Sequence, residues 1–520
     1  MSSGWNKEKD KEIDAKEAKI VESILKKYHI SPDDVKITLS NKNIARLAVN
    51  SVELKTFPVE ILELKNLTAL ELKNNSITTL PDISSLKELT VLWLDNNEFK
   101  EIPTSLPIKL QDLNLSSNKL SSIKNLDQLP DLRYLDLSSN MIKKIENLEN
   151  IKKLMYLDLN SNKISKIEGI SNLSMLRYLD FSNNEIKVIQ NLENCPEIMG
   201  LFFSCNQITK IEGLQHLQIL QELKLDNNKL KKLENLDALT ELTRLFLDSN
   251  ELQSCQGLEQ LENLEELFLD KNHLNSLDSL NKCSFIGLNT LSLSQNNIDS
   301  LPDFERFQML HSLNLAENKI SKISKMPSFL QKLNLAHNKI TKIENLTNLS
   351  NLLTLDISFN QISVIKGIKQ LKKLNYLDFS NNLIKTMSRE LRSLEFLKDL
   401  RLENNQIKKI QNLKNLLYLN DLRLGNNLIS TIQGLKGLFD LQYINLANNR
   451  IKIIRGLSSQ RRLQALILNN NYLYSLSTLD KKIYPTKLKM LDIRNNSFNK
   501  KSLDIIDLYQ KQYPQLTILI

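Results

Sequence analysis

Leucine and isoleucine recur along this chain in a fixed rhythm. It is plainest at Leu154-Met155-Tyr156-Leu157-Asp158-Leu159-Asn160-Ser161-Asn162-Lys163-Ile164-Ser165-Lys166-Ile167, whose skeleton is L-x-x-L-x-L-x-x-N-x-I-x-x-I. The skeleton returns 22 residues later, and again along most of the chain. Repetition at such a period marks a solenoid, in which each unit buries its apolar side against its neighbours. The alternation at Leu157 and Leu159 predicts a short strand with inward leucines. Ile164, Ile167, Ile170 and Leu173 step by three, which suits short 3₁₀ or helical turns. The expected fold is therefore an α/β solenoid, a curved stack with a concave parallel β-sheet and a convex side of short turns.

One polar position is as regular as the leucines. From Asn75 to Asn496 every unit carries Asn at the ninth skeleton position, and only the degenerate first unit departs from this, with Val52. After each strand the chain must turn, which leaves backbone N–H and C=O groups in the interior. Asn offers a donor and an acceptor on a short stem and can satisfy both. Loss of one such residue is expected to cost about 1–3 kcal/mol.

The ends differ from the middle. Lys7 to Lys27 predicts an amphipathic helix with Ile13, Ile20, Ile24 and Leu25 on one face, closed by the turn residues Ser31-Pro32-Asp33-Asp34. Residues 1–43 are thus expected to form an N-terminal helical cap, 44–498 a solenoid of about 21 repeats, and 499–520 a C-terminal cap. In the last, Leu503, Ile506 and Tyr509 have helical spacing, and Tyr513 to Ile520 reads as a truncated strand. The period slips around Cys283 to Gly287, at Met326-Pro327 and near Tyr484-Pro485. From Asn272 to Asn338 the slips predict altered curvature with no domain boundary.

Composition narrows the function classes. Of the 520 residues, 41% are hydrophobic and 25% charged, which is ordinary for a folded chain. The net charge of +9 arises from 69 basic and 60 acidic residues that are interleaved, so no nucleic-acid surface is expected. No run of about 18 apolar residues occurs, so no membrane span is expected. Met1 to Asp10 lacks an apolar run, and no signal peptide is expected. Cys195, Cys205, Cys255 and Cys283 show no C-x-x-C spacing, favouring a reducing, cytoplasmic setting. His29, His216, His273, His311 and His337 are scattered without metal-ligand spacing. No phosphate-binding loop, nucleophile elbow or kinase phrase occurs, so no enzyme activity and no cofactor are expected. Cys205, beside Asn206, has no adjacent base to activate it.

Twenty-odd copies of this skeleton resemble the leucine-rich repeat family over essentially the whole chain after residue 43. The 22-residue period and the phrase I-x-x-I-E-[NG]-[LI], as at Ile142 to Leu148 and Ile164 to Ile170, are similar to the SDS22-like subclass. That resemblance implies a curved scaffold that binds another protein on its concave sheet. The subclass is named for a regulatory subunit of protein phosphatase 1, so a phosphatase catalytic subunit is one partner it implies. Its phosphatase-binding members alternate acidic and aromatic residues on four successive strands. Asp180, Phe202, Lys224 and Phe246 match three of the four, and Lys224 reverses the charge at the third.

If the inward leucines only build the frame, specificity lies in the outward strand residues. The exposed position on successive strands reads Trp93, Asn114, Asp136, Asp158, Asp180, Phe202, Lys224, Phe246 and Phe268. Two residues earlier stand Tyr134, Tyr156 and Tyr178, and two residues later Asp226, Asp248 and Asp270. Exposed aromatics ringed by polar groups are the usual anchors of protein interfaces. Trp93, Tyr134, Asp136, Tyr156, Asp158, Tyr178, Asp180, Phe202, Asp226, Phe246, Asp248, Phe268 and Asp270 are accordingly the expected partner-binding residues. The chain is expected to be monomeric by itself, and the alternative to an intracellular scaffold is a secreted recognition protein. Lys144, Lys166, Lys210, Lys232, Lys322, Lys342 and Lys409, several with Glu two residues on, predict a salt ladder on the convex side.

Overall fold

In each turn of the chain the alternation decides what is buried. Leu157 and Leu159 are fully buried, whereas Tyr156 and Asp158 lie on the opposite, half-exposed face of the same strand. Ile164, Ile167, Ile170 and Leu173 return through the interior with no exposure. Hydrogen bonds between residues three apart, such as Leu173 N–H to the Ile170 carbonyl at 3.0 Å, close this return as tight turns. Longer 3₁₀ stretches occur at Val59–Glu63, Asp278–Lys282, Phe304–Arg306 and Arg389–Ser393. Three of these lie in units with more than 22 residues, so the surplus is wound into the turn side and the sheet stays in register.

The computed structural model describes residues 13–476 and 487–520, which leaves the expected slip near Tyr484-Pro485 and helix residues 7–12 outside the described residues. Two units are distinguished, Met1–Leu252 with Gln256–Leu264 and Gln253–Cys255 with Glu265–Ile520. In the first, helix α1 spans Ala15–Tyr28, and the strands are β1 Val35–Ser40, β2 Asn43–Val49, β3 Ala69–Glu71, β4 Val91–Trp93, β5 Asp112–Asn114, β6 Tyr134–Asp136, β7 Tyr156–Asp158, β8 Tyr178–Asp180, β9 Gly200–Phe202, β10 Glu222–Lys224 and β11 Arg244–Phe246. From β2 to β11 each strand pairs in parallel with the next. The second unit holds β12 Glu266–Phe268, β13 Thr290–Ser292, β14 Ser312–Asn314, β15 Lys332–Asn334, β16 Thr354–Asp356, β17 Tyr376–Asp378, β18 Asp399–Arg401, β19 Asp421–Arg423, β20 Tyr443–Asn445, β21 Ala465–Ile467, β22 Met490–Asp492, helix α2 Lys500–Gln512 and β23 Thr517–Leu519. Its strands are also parallel throughout. The sheet therefore runs unbroken through the slips between Asn272 and Asn338.

The asparagine column bridges successive turns. Asn162 accepts from Ile142 N–H at 2.9 Å and donates to the carbonyls of Leu137 and Leu159 at 3.0 and 3.1 Å. Asn184 repeats this one turn on, accepting from Ile164 N–H and donating to Leu159 and Phe181. A second regularity sits just before each Asn. Asn74, Asn96, Ser117 and their counterparts to Asn495 all have φ near +55°, a region that Asn enters at low cost. The [NG] of the turn-side phrase is a third. Asn147 at φ +60° donates to the Ile123 carbonyl at 2.6 Å. Gly169 takes the equivalent place at φ +70°, where a Cβ would lie 2.5 Å from the Ile145 carbonyl oxygen.

Both ends of the stack are covered, with differences from expectation. Asp14 caps α1 by accepting from Lys16 and Glu17 N–H, and Ile13, Ile20, Ile24 and Leu25 are all buried as their spacing predicts. The N-terminal cap is only half helical, because β1 alternates polar and apolar residues and pairs antiparallel with β2. The buried carboxylate of Glu17 accepts from Ile44 N–H at 2.5 Å and ties helix to strand. At the other end Ile506 is buried but Leu503 is 45% exposed; Ser502 packs inward instead and accepts from Leu476 N–H at 3.0 Å. β23 pairs with β22 as the expected last strand.

The salt ladder does not form. Of the Lys and Glu residues that predict it, only Lys210 and Glu234 approach, at 3.7 Å, among the described residues. Exposed long side chains gain too little from pairing to offset the freedom they lose. Lys143, Lys144, Lys163 and Lys166 instead line an open cleft with Glu168 and Glu185.

Candidate functional site

The first unit carries most of the expected face on β4 to β11. At one end Trp93 is already engaged. Its indole N–H donates to Asp112 at 3.0 Å, while Lys73 Nζ lies 3.8 Å and the Arg46 guanidinium 5.4 Å from its ring centre. Arg46 and Lys73 also pair with Glu71, whose carboxyl is held below its usual range by these cations despite the opposing effect of burial.

β6 to β8 form a block of tyrosines and aspartates. Tyr134 and Tyr156 stack with ring centres 4.2 Å apart and planes 8° from parallel, and Tyr178 follows at 6.4 Å, tilted by 40°. Strands about 4.8 Å apart bring identical outward residues into such contact. Asp136, Asp158 and Asp180 make the parallel row. Each accepts a backbone N–H two residues on, from Ser138, Asn160 and Ser182, at 2.9, 2.8 and 2.7 Å. Burial, reinforced by Asp136 and Asp180, pushes the Asp158 carboxyl up to about 7, against the Asn160 N–H bond that favours its charged form. Burial also raises Asp95 and Asp112.

Gly200 stands next in the tyrosine column. A Cβ there would come within 2.6 Å of the Tyr178 ring and 3.1 Å of Phe202, so the missing side chain lets Tyr178 lean toward Phe202. Lys224 lies between Phe202 and Phe246, 4.7 and 5.3 Å from their ring centres, and pairs with Glu222 at 3.2 Å. Asp226 accepts from Ser204 at 2.5 Å. Asp248 follows β11 and is half-buried. Phe268 and Asp270 belong to β12 and its turn in the second unit; there Asp270 accepts from Ser292 at 2.7 Å. The structure thus gathers Trp93 to Asp248 on one face and assigns the last pair to the other unit.

The second unit presents a different face. Arg401 packs 5.0 Å from the Tyr376 ring centre and pairs with Asp399 at 3.0 Å; Arg423 packs 5.0 Å from Tyr443 and pairs with Asp421 at 2.9 Å. Cys205 is exposed, and partial burial of its thiol with Asp226 nearby shifts it away from the thiolate form. His337, exposed as its position predicts, stacks on Phe359 at 3.9 Å.

Comparison with known proteins agrees with this architecture. A family model of leucine-rich repeats in two copies matches residues 65–107, 108–150, 130–174 and 328–364. YopM from Yersinia enterocolitica is similar over 88% of this chain and 91% of its own, with 21% identity and a TM-score of 0.64. The fold is that of a leucine-rich repeat stack. The plant peptide hormone receptor RGFR1, solved in complex with RGF2, shares 23% identity over 89% of this chain and 88% of its own, with a TM-score of 0.59. The Arabidopsis receptor kinase HAESA, solved with the peptide hormone IDA and the co-receptor SERK1, shares 22% over 89% and 84%, with a TM-score of 0.58. No curated protein matches the chain.

The sequence alone did not single out Lys73, Asp95, Asp112, Glu222 and Gly200. Glu222 and Asp112 share the tyrosine column's outward position, so that column, read in full, held the signal. The Asp95 Oδ1 atom is buried without a hydrogen-bond partner among the described residues, which the sequence does not announce. Among the described residues no helix is long and apolar enough to cross a membrane.

Proposed function

We propose that the protein is a non-enzymatic scaffold or regulatory adaptor that binds a partner protein on the outward sheet face from β4 to β11. The observation that carries this reading is the strip of aromatic rings from Tyr134 to Phe246, held on a parallel sheet whose backbone is fixed on every strand. Rigid exposed aromatics bind with little loss of conformational freedom. The leucine-rich repeat fold accommodates such partners, as the hormone complexes of RGFR1 and HAESA illustrate for those receptors. The four cysteines, three of them buried and none in a disulfide among the described residues, fit a cytoplasmic protein. The phosphatase-subunit reading draws less support, because Lys224 reverses the charge at the third position and is already committed to Phe202, Phe246 and Glu222.

The test is affinity purification from the source cells with native chain and with Phe202→Ala combined with Phe246→Ala. Recovery of the main partner should fall by about tenfold or more, the scale expected for two interface anchors, with the circular dichroism unchanged. An unchanged partner set with an intact fold moves the docking surface elsewhere.

A further inference from the structure

On the sheet faces of this protein, rings and carboxylates come with cations. Lys73 lies over Trp93 at 3.8 Å and beside Glu71 at 3.5 Å. Lys224 lies over Phe202 at 4.7 Å and beside Glu222 at 3.2 Å. Arg401 joins Tyr376 to Asp399, and Arg423 joins Tyr443 to Asp421. In each case the chain supplies all three parts. β6 to β8 supply only two. Among the described residues no Lys or Arg pairs with Asp136, Asp158 or Asp180, and none lies over the three tyrosines that accompany them.

We propose that a basic segment of a partner protein, carrying Lys or Arg side chains, supplies the missing cations to the tyrosine and aspartate block of β6 to β8. The inference rests on the sheet face being the docking surface proposed above, and adds the chemistry of the segment that docks. Three observations argue for it. Asp136 and Asp180 each hold a backbone N–H with one oxygen, while the other has no partner in the described chain. The row spaces its carboxylates by about one strand separation, 4.8 Å, so it suits several separate cations; no group of three such side chains among the described residues could hold a metal ion. The chain as a whole carries +9, so a basic segment would gain its attraction from a local acidic row such as this one and not from the net charge. Phosphate-bearing partners meet charge of their own sign at this row and are repelled.

Electrostatic complementarity with a buried component acts on both approach and dwell time, and cations over tyrosine rings add to it. Burial raises the Asp158 carboxyl, with a smaller contribution from Asp136 and Asp180, and the same cations would offset the repulsion within the row.

The experiment selects random peptides displayed on phage against the full chain and three variants. The first, Asp136→Asn, Asp158→Asn and Asp180→Asn together, removes charge and keeps shape. The second, Ser138→Lys with Asn160→Lys, leaves the block in place and lets the chain supply the cations itself. The third is Phe202→Ala with Phe246→Ala. Native chain should enrich Lys- and Arg-rich peptides, and synthetic copies of these should bind the first and second variants about tenfold more weakly or worse. Peptides without basic bias that bind the native and Asn-substituted chains equally, and are lost with the third variant, would overturn this inference and leave the docking surface standing. Binding indifferent to all three variants would remove both.

Discussion

The Tyr–Asp block of β6 to β8 and the Tyr–Arg block of β17 to β20 are built on the same frame and end in opposite states. In both, an outward tyrosine hydroxyl reaches the carboxylate two residues on, Tyr156 to Asp158 at 3.4 Å and Tyr376 to Asp378 at 3.2 Å. In both, burial raises the tyrosine and the aspartate. The second block then adds Arg401 and Arg423, each paired with its own aspartate and packed against a tyrosine. The first adds nothing. The frame therefore fixes where side chains stand, and the outward residues decide whether a face carries its own cations.

If the frame is truly shared, breaking it should hurt both regions alike. Asn162→Ala and Asn382→Ala each remove one acceptor and one multiply bonded donor from the interior. Each should cost about 3 kcal/mol or more, read as a lower urea midpoint. A loss below about 1 kcal/mol at either site would mean that the column does not carry the turn there.

A smaller effect, opposite in sign between the two blocks, should follow from changing charge. Arg401→Met removes a ring contact and a half-buried ion pair and should cost about 1 kcal/mol. Asp158→Asn should stabilise, because it keeps an oxygen for the Asn160 N–H and removes a carboxylate crowded by Asp136 and Asp180. The sign with pH follows from linkage. The folded carboxyl titrates near 7, above its unfolded value of about 3.9. Between those values the folded state binds more protons, so native stability falls as pH rises through that window. The Asn advantage should be absent near pH 4 and complete above pH 7. Thermal melts at several pH values decide this, and a pH-independent Asp158→Asn effect would count against the crowded row.

Much of the frame was legible because inward positions repeat and drift is penalised at every turn. Leu157, Leu159 and Asn162 could be placed from spacing alone. The strand β1 was not, since it belongs to no repeat. The left-handed residue before each Asn escaped notice because Cys205, His337 and Phe359 occupy it as well as Asn and Ser. On the outward face, residue types could be read but their pairing could not. Whether Lys224 faces solvent or two phenylalanines depends on rotamers and on neighbours 22 residues away, and the same freedom dissolved the expected lysine and glutamate ladder. Trp93 looked open and is occupied by Lys73.

The smallest effect sharpens the comparison most locally. Tyr376 is held by Arg401, but Tyr178 is held by an opening, the side chain that Gly200 lacks. Gly200→Ala places a methyl where the Tyr178 ring now lies. The obstructed atoms belong to a flexible side chain at a 41% exposed position, so the ring should swing outward while the sheet stays put. Stability should change by no more than about 0.5 kcal/mol. The ring-proton NMR signals of Tyr178 should shift as its contact with Phe202 is lost, and those of Tyr376 should not. Unmoved Tyr178 signals would mean that the ring does not depend on the gap, and that the aromatic strip ends at β8 without reaching Phe202.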